Sequence, residues 1–167
     1  KLLIKFDGIN SITTEDNLIL MSSDAGGFKP LMKLCDKEEW KGEVASASKA
    51  REYKDNKTIL TQLIAHNDFR GKDILIIDDI CVYGGTFKGL SKLLKERNCG
   101  KLYLAVSHMT VQNLGKDPVT NYFDTVFTTN SKFDEYFCEK DLYLSSDVEG
   151  NEFMVKGEDC PKNLEII

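Results

Sequence analysis

Apolar residues in this chain fall in short uninterrupted runs, and the segments between them are polar or carry helical spacing. Asn17 to Met21 (NLILM), Ile74 to Ile77 (ILII), Lys101 to Ser107 (KLYLAVS) and Asp124 to Thr129 (DTVFTT) predict strands. Such runs indicate burial on both faces, because a strand with one wet face alternates. Val44 to Ser48 (VASAS) reads as a short strand of small residues, Thr61 to His66 as another, and Leu164 to Ile167 as a last one. From Thr86 to Arg97, Phe87, Leu90, Leu93 and Leu94 share one face of a helix. A second helix is predicted near Pro30 to Trp40, with Pro30 in its first turn, where a missing N–H is tolerated. KAREYKDNK, which starts at Lys49, is polar, mainly basic and without apolar periodicity, so it reads as a mobile loop. The acidic stretch from Phe133 to Cys160 reads as an inserted hairpin.

Strands that alternate with helices predict an α/β fold: a Rossmann-like central parallel sheet with helices on both faces. In such sheets ligands bind beyond the carboxyl ends of the strands. SSDAGG, DDICVYGGT and SHMT each begin where a predicted strand ends. All three are expected along one edge of the sheet.

Length and charge narrow this picture. A chain of 167 residues suits one domain. Its net charge of -5 argues against a general nucleic-acid binder, while leaving room for a local basic patch on phosphates. No apolar run approaches a membrane span and no signal peptide is visible, so a cytoplasmic protein without a membrane partner is expected. Cys35, Cys81, Cys99, Cys138 and Cys160 form no CxxC and are expected as free thiols. Neither His66 nor His108 stands at ligand spacing from a cysteine, so a zinc site is not expected.

The chemistry concentrates in ILIIDDICVYGGTF, Ile74 to Phe87. Two adjacent carboxylates repel, and a glycine pair weakens a helix, so neither choice serves the fold. At a helix start several backbone N–H groups lack partners and the dipole favours negative charge. Gly84 and Gly85 let an anion approach that backbone, and the Thr86 hydroxyl adds a donor. Together they predict a phosphate cradle, not a Walker loop, since GK[ST] is absent. Asp78 and Asp79 are placed to accept hydrogen bonds from sugar hydroxyls or to share magnesium with a diphosphate. A lone DD or GGT is commonly only a cap or a bend; strand, DD, gap, GGT and helix together point to a phosphorylated sugar.

This segment resembles the phosphoribosyl-diphosphate-binding motif of the type I phosphoribosyltransferase fold. SSDAGGFKPL (Ser22 to Leu31), SKAREYKDN, VSHM (Val106 to Met109) and FTTNS (Phe127 to Ser131) resemble, in the same order, segments of phosphoribosyl diphosphate synthetases. The resemblance implies an enzyme that moves diphosphate from Mg-ATP to the anomeric hydroxyl of ribose 5-phosphate or a 5-substituted relative. It implies Asp24 as a carboxylate near the ribose and its magnesium, and Lys49 and Arg51 as cations acting on the transferred phosphates. Asp78, Asp79, Tyr83, Gly84, Gly85 and Thr86 would bind the sugar phosphate. The partners implied are a sugar phosphate and a nucleotide, in a homo-oligomer. Two alternatives stay open: a phosphoribosyltransferase that joins a nucleobase to the activated ribose, and a non-catalytic homologue that binds sugar phosphates.

The sequence departs from the family pattern in places. Ser23 stands where proline is usual. Val82 and Tyr83 stand where the family usually has Asp and Thr, which removes a carboxylate from the ribose and sets a ring beside the 5-phosphate. A larger 5-substituent, such as the ADP group of ADP-ribose, would give Tyr83 a stacking partner and connect the enzyme to NAD metabolism. Residues 1 to 167 read as a single phosphoribosyltransferase-type domain. Only 16 residues precede NLILM, so the amino-terminal half-domain of synthetases is expected to be absent.

Overall fold

The computed structural model describes residues 15–54, 57–110, 117–129, 142–146, 152–156 and 163–166. Seven strands make the main sheet: β1 (Leu18–Ser22), β2 (Glu43–Lys54), β3 (Lys57–Ile64), β4 (Asp73–Cys81), β5 (Leu102–Met109), β6 (Thr125–Thr128) and β9 (Leu164–Ile166). Their order is β3-β2-β1-β4-β5-β6-β9. All neighbours pair in parallel except β2 and β3, which form an antiparallel hairpin at one edge. A separate antiparallel pair, β7 (Leu142–Ser146) with β8 (Glu152–Lys156), realises the hairpin expected in the acidic insertion.

Two α-helices cover the sheet on opposite faces. Helix α1 (Ala25–Lys37) follows β1, and α2 (Gly85–Glu96) follows β4. Side chains along a strand point alternately to the two faces. Ile19, Met21, Ile74, Ile76, Leu102 and Leu104 pack with Phe87, Leu90 and Leu94 of α2. Leu18, Leu20, Leu75, Tyr103 and Ala105 pack with Leu31 and Cys35 of α1. Strands β1, β4 and β5 are therefore apolar on both faces, which is why their sequences are continuous runs. Among the described cysteines, Cys35, Cys81 and Cys99 are free thiols. No helix among the described residues is long and apolar enough to cross a membrane.

Three expectations need correction. Helix α1 begins at Ala25, so Pro30 lies in its second turn rather than its first. The Asp24 carboxylate accepts from Gly27 N at 3.0 Å and starts the helix upstream of the proline. The described residues of KAREYKDNK are strand rather than loop: Lys49–Lys54 extend β2 and Lys57 opens β3, while Asp55 and Asn56 lie outside the described residues. Its partner TILTQLI is β-branched and apolar, and the backbone ladder runs from Ala47 opposite Ile64 to Lys54 opposite Lys57 without needing apolar side chains from the basic run. Strand β4 also continues past Ile77 and takes in Asp78 and Asp79. On one side β1 ends at Ser22, opposite Ile77, but on the other β5 offers partners as far as Met109, opposite Cys81.

The two-faced core predicts where truncation is costly. Leu104 is fully buried in β5, whereas Leu63 on the edge strand is 56% exposed. Leu104→Ala should destabilise by about 2–5 kcal/mol, and Leu63→Ala by under about 1 kcal/mol. Urea denaturation of both variants checks this; equal losses would show that the edge strand carries core weight.

Candidate active site

The parallel strands bring the predicted segments to one edge. Beyond Ile77, β4 is paired with β5 alone, so Asp78 and Asp79 stand at a rim with one side open. A cavity of about 480 Å³ opens there, lined by Asp24, Gly27, Leu31, Ile77, Asp78, Asp79 and Ser107 among others. Its polar groups come from the ends of β1, β4 and β5, and its apolar wall comes from α1. Gly84, Gly85 and Thr86 do not line it. They begin the next helix, a few residues past the carboxylate pair.

The two helix N-termini at this edge differ in chemistry. Helix α1 is closed by its own cap, the Asp24 carboxylate. Helix α2 is capped by Gly84, in the left-handed conformation at φ 72°, a residue with no side chain to bond the first-turn amides. A left-handed residue at this position favours glycine. A Cβ added at Gly85 would meet nothing within 4 Å, so that position is kept open rather than filled by packing. The first turn of α2 thus offers N–H groups and free space to an anion. The loop before it is held through backbone: Thr110 N donates to the Cys81 carbonyl at 3.1 Å, and Thr110 Oγ1 to the Val82 carbonyl at 2.7 Å. Tyr83 is 56% exposed and its ring is free to meet a ligand.

Lys49 and Asp24, predicted from separate segments, meet. Lys49 Nζ lies 2.5 Å from Asp24 Oδ2. This ammonium, with the Gly27 amide, holds the Asp24 carboxyl below its usual range against the opposing effect of burial. Arg51 stands two positions further along β2, opposite Leu60. His108 lies in β5 opposite Ile80. His66 is at the far end of the sheet, where its Nε2 pairs with Glu43 Oε1 at 2.9 Å.

Among the described residues no group of three acidic, His or Cys side chains is arranged to hold a metal. Asp24, Asp78 and Asp79 all line the cavity. Residues missed from sequence are Ser23, whose hydroxyl donates to Asp78 Oδ2, and Gln62, whose Nε2 donates to the Thr86 carbonyl at 2.9 Å. Gln62 shares the inward parity of Ile64, and a polar side chain there was the available signal.

Asp78 carries the electrostatic cost of the site. Burial pushes its carboxyl up, and neighbouring Asp79 adds to this, while Ser23 and the Asp79 amide oppose it. A carboxyl with a raised folded value contributes most below its ordinary value of 3.8, and that contribution is lost as pH rises through the folded value. Wild type should therefore lose stability relative to Asp78→Asn between acid pH and neutrality. Melting temperatures of both proteins from pH 3 to pH 8 test this; parallel curves would remove Asp78 as a source of strain.

Comparison with known proteins agrees with this architecture. The model of the phosphoribosyl transferase domain matches residues 8–141. A ribose-phosphate pyrophosphokinase of Chlorobaculum tepidum is 29% identical over 140 residues, which cover 83% of this chain and 42% of that protein. The phosphoribosylpyrophosphate synthetase structure from Mycobacterium smegmatis superposes with a TM-score of 0.61 at 18% identity, covering 100% of this chain and 45% of that one. A hypoxanthine phosphoribosyltransferase from Staphylococcus aureus gives a TM-score of 0.50 at 16% identity, over 62% of this chain and 58% of that one. The chain spans less than half the length of the two synthetase-type relatives. Its sheet is that of the type I phosphoribosyltransferases, and the chain belongs to the phosphoribosyl transferase domain family.

Proposed function

We propose that this chain is the sugar-phosphate half of a ribose-phosphate diphosphokinase. The carrying observation is the meeting of Lys49 with Asp24 beside Asp78 and Asp79, at the strand edge from which the uncapped helix α2 springs. The relatives that match most of the chain bear the name ribose-phosphate pyrophosphokinase or phosphoribosylpyrophosphate synthetase, which supports the same reading.

In this reading the 5-phosphate sits on the first turn of α2, with the Thr86 hydroxyl as a further donor. Asp78 and Asp79 accept from the ribose hydroxyls and fix the anomeric oxygen. That oxygen attacks the β-phosphorus of ATP; the bond from this phosphorus to the α-bridging oxygen breaks, AMP leaves, and the hydroxyl proton is released. Lys49 and Arg51 face the charge that builds on the phosphoryl oxygens, where positioned cations act in the transition state. Magnesium bound with ATP would be held by Asp24, with Asp78 and Asp79 nearby, and would supply charge neutralisation of the phosphates. Lys49 would then exchange Asp24 Oδ2 for a phosphate oxygen.

AMP released from ATP, magnesium and a sugar phosphate, followed chromatographically, tests the reading on the full-length protein. Base-dependent release of diphosphate from phosphoribosyl diphosphate would replace it with a transferase. Lys49→Ala should lower kcat by roughly a hundredfold or more with little change in the Michaelis constant for the sugar. A normal kcat with a raised Michaelis constant would move Lys49 from the transferred phosphates to ground-state sugar binding.

Tyr83 directs the choice of acceptor. An exposed ring beside the cradle gains from a 5-substituent with a flat base, by about 1–3 kcal/mol or roughly tenfold to a hundredfold. ADP-ribose should therefore rival or exceed ribose 5-phosphate in kcat/KM, and Tyr83→Thr should shift preference toward ribose 5-phosphate. Measuring both sugars on both proteins decides this; a strong wild-type preference for ribose 5-phosphate would make Tyr83 a tolerated variation.

A further inference from the structure

Gln62 joins two parts of the edge that the sequence keeps apart. It lies on β3, opposite Lys49 in the hairpin ladder. Its Nε2 donates to the Thr86 carbonyl in the first turn of α2 at 2.9 Å. A second observation concerns the same side chain. A Cβ added at Gly89 would lie 2.5 Å from Gln62 Oε1. The amide therefore lies against the start of α2, and the bare glycine one turn on makes room for it. Within one cross-strand pair, Gln62 holds the cradle helix and Lys49 reaches Asp24 at the start of α1.

The rest of β3 is anchored elsewhere. Arg97, at the far end of α2, donates from one guanidinium nitrogen to the carbonyls of Ile64 and His66. That fixes the base of the hairpin, where Ile64 stands opposite Ala47, next to the last β1–β2 pair of Ser22 with Ser46. The end that carries Lys49 is an antiparallel edge pair, and an edge pair is free to tilt unless a side chain ties it. Among the described residues Gln62 ties it to α2, and the Lys49–Asp24 ion pair ties it to the start of α1.

We propose that Gln62 is a positioning residue that sets the β2–β3 hairpin, and with it Lys49, against the phosphate cradle. The inference rests on the proposed reading for its catalytic consequence, though not for the coupling itself. Gln62 touches no reacting atom. It acts by fixing the distance between the amides that hold the 5-phosphate and the cation that meets the transferred phosphates.

Two variants test it from opposite sides of the contact. Gln62→Ala removes the tie to α2. Gly89→Ala displaces the Gln62 amide while adding a stronger helix former, so its melting temperature should match or exceed that of wild type. Amide exchange should rise about tenfold in both variants, together at Lys88 and Leu90, whose N–H groups are bonded within α2, and in the β2–β3 ladder about Lys49 and Gln62, with the sheet centre unchanged. In turnover, kcat should fall about tenfold with the sugar Michaelis constant within about twofold, and Gln62→Ala added to Lys49→Ala should cost no more than Lys49→Ala alone. Exchange that rises in only one segment, or in neither, or losses that simply add, overturns the proposal. If wild type releases no AMP, the proposed function fails, and the exchange measurements by themselves decide the role of Gln62.

Discussion

The site depends on an unequal pairing of strand β4. Up to Ile77 it is bonded on both sides, by β1 and β5, and Ile74, Leu75 and Ile76 are fully buried. Past that point β1 has ended and only β5 continues. A strand in this position is rigid, because one ladder still holds it, yet open, because the other has stopped. Two carboxylates can stand there without being sealed in the core. The arrangement is not free of cost: burial and a like charge disfavour ionised Asp78, and the Ser23 hydroxyl offsets part of this.

The same edge separates two helix starts by what satisfies them. Asp24 spends its carboxylate on the amides of α1 and on Lys49, so that terminus is neutralised internally. The amides of α2 have only Gly84 before them. An anion arriving at this edge is therefore drawn to α2, where the dipole is uncompensated, rather than to α1, where a negative charge already stands. In a chain of net charge -5, such an attraction would be local and made of backbone.

The central elements were legible in sequence because both-sided burial leaves an unmistakable mark. NLILM, ILII and KLYLAVS became β1, β4 and β5, and Phe87, Leu90 and Leu94 became the buried face of α2. The helix start at Gly84 and Gly85 was legible too, since the glycine pair has a meaning in backbone terms. What escaped was set by partners distant in sequence. The extension of β4 through Asp78 depends on how far β5 runs. The strand character of KAREYKDNK depends on the ladder offered by β3. The Asp24 cap outweighed the proline signal at Pro30, so α1 started early. Gln62 was hidden because its partner, the Thr86 carbonyl, is a backbone group that any residue would supply.

That last fact bears on how the loop tolerates Val82 and Tyr83. Its attachments include the carbonyls of Cys81 and Val82, taken by Thr110, and the carbonyl of Thr86, taken by Gln62. None of these three requires a particular side chain on the loop itself. In this respect the loop is held from outside, by residues on β3 and at the end of β5. Val82 removes a hydroxyl-binding carboxylate from the family pattern, and Tyr83 adds an exposed ring, without disturbing the left-handed turn at Gly84. In the proposed reading, a loop anchored through its backbone would separate retention of a phosphate from selection of what the phosphate carries, the first resting on amides that every sequence possesses and the second on Val82 and Tyr83.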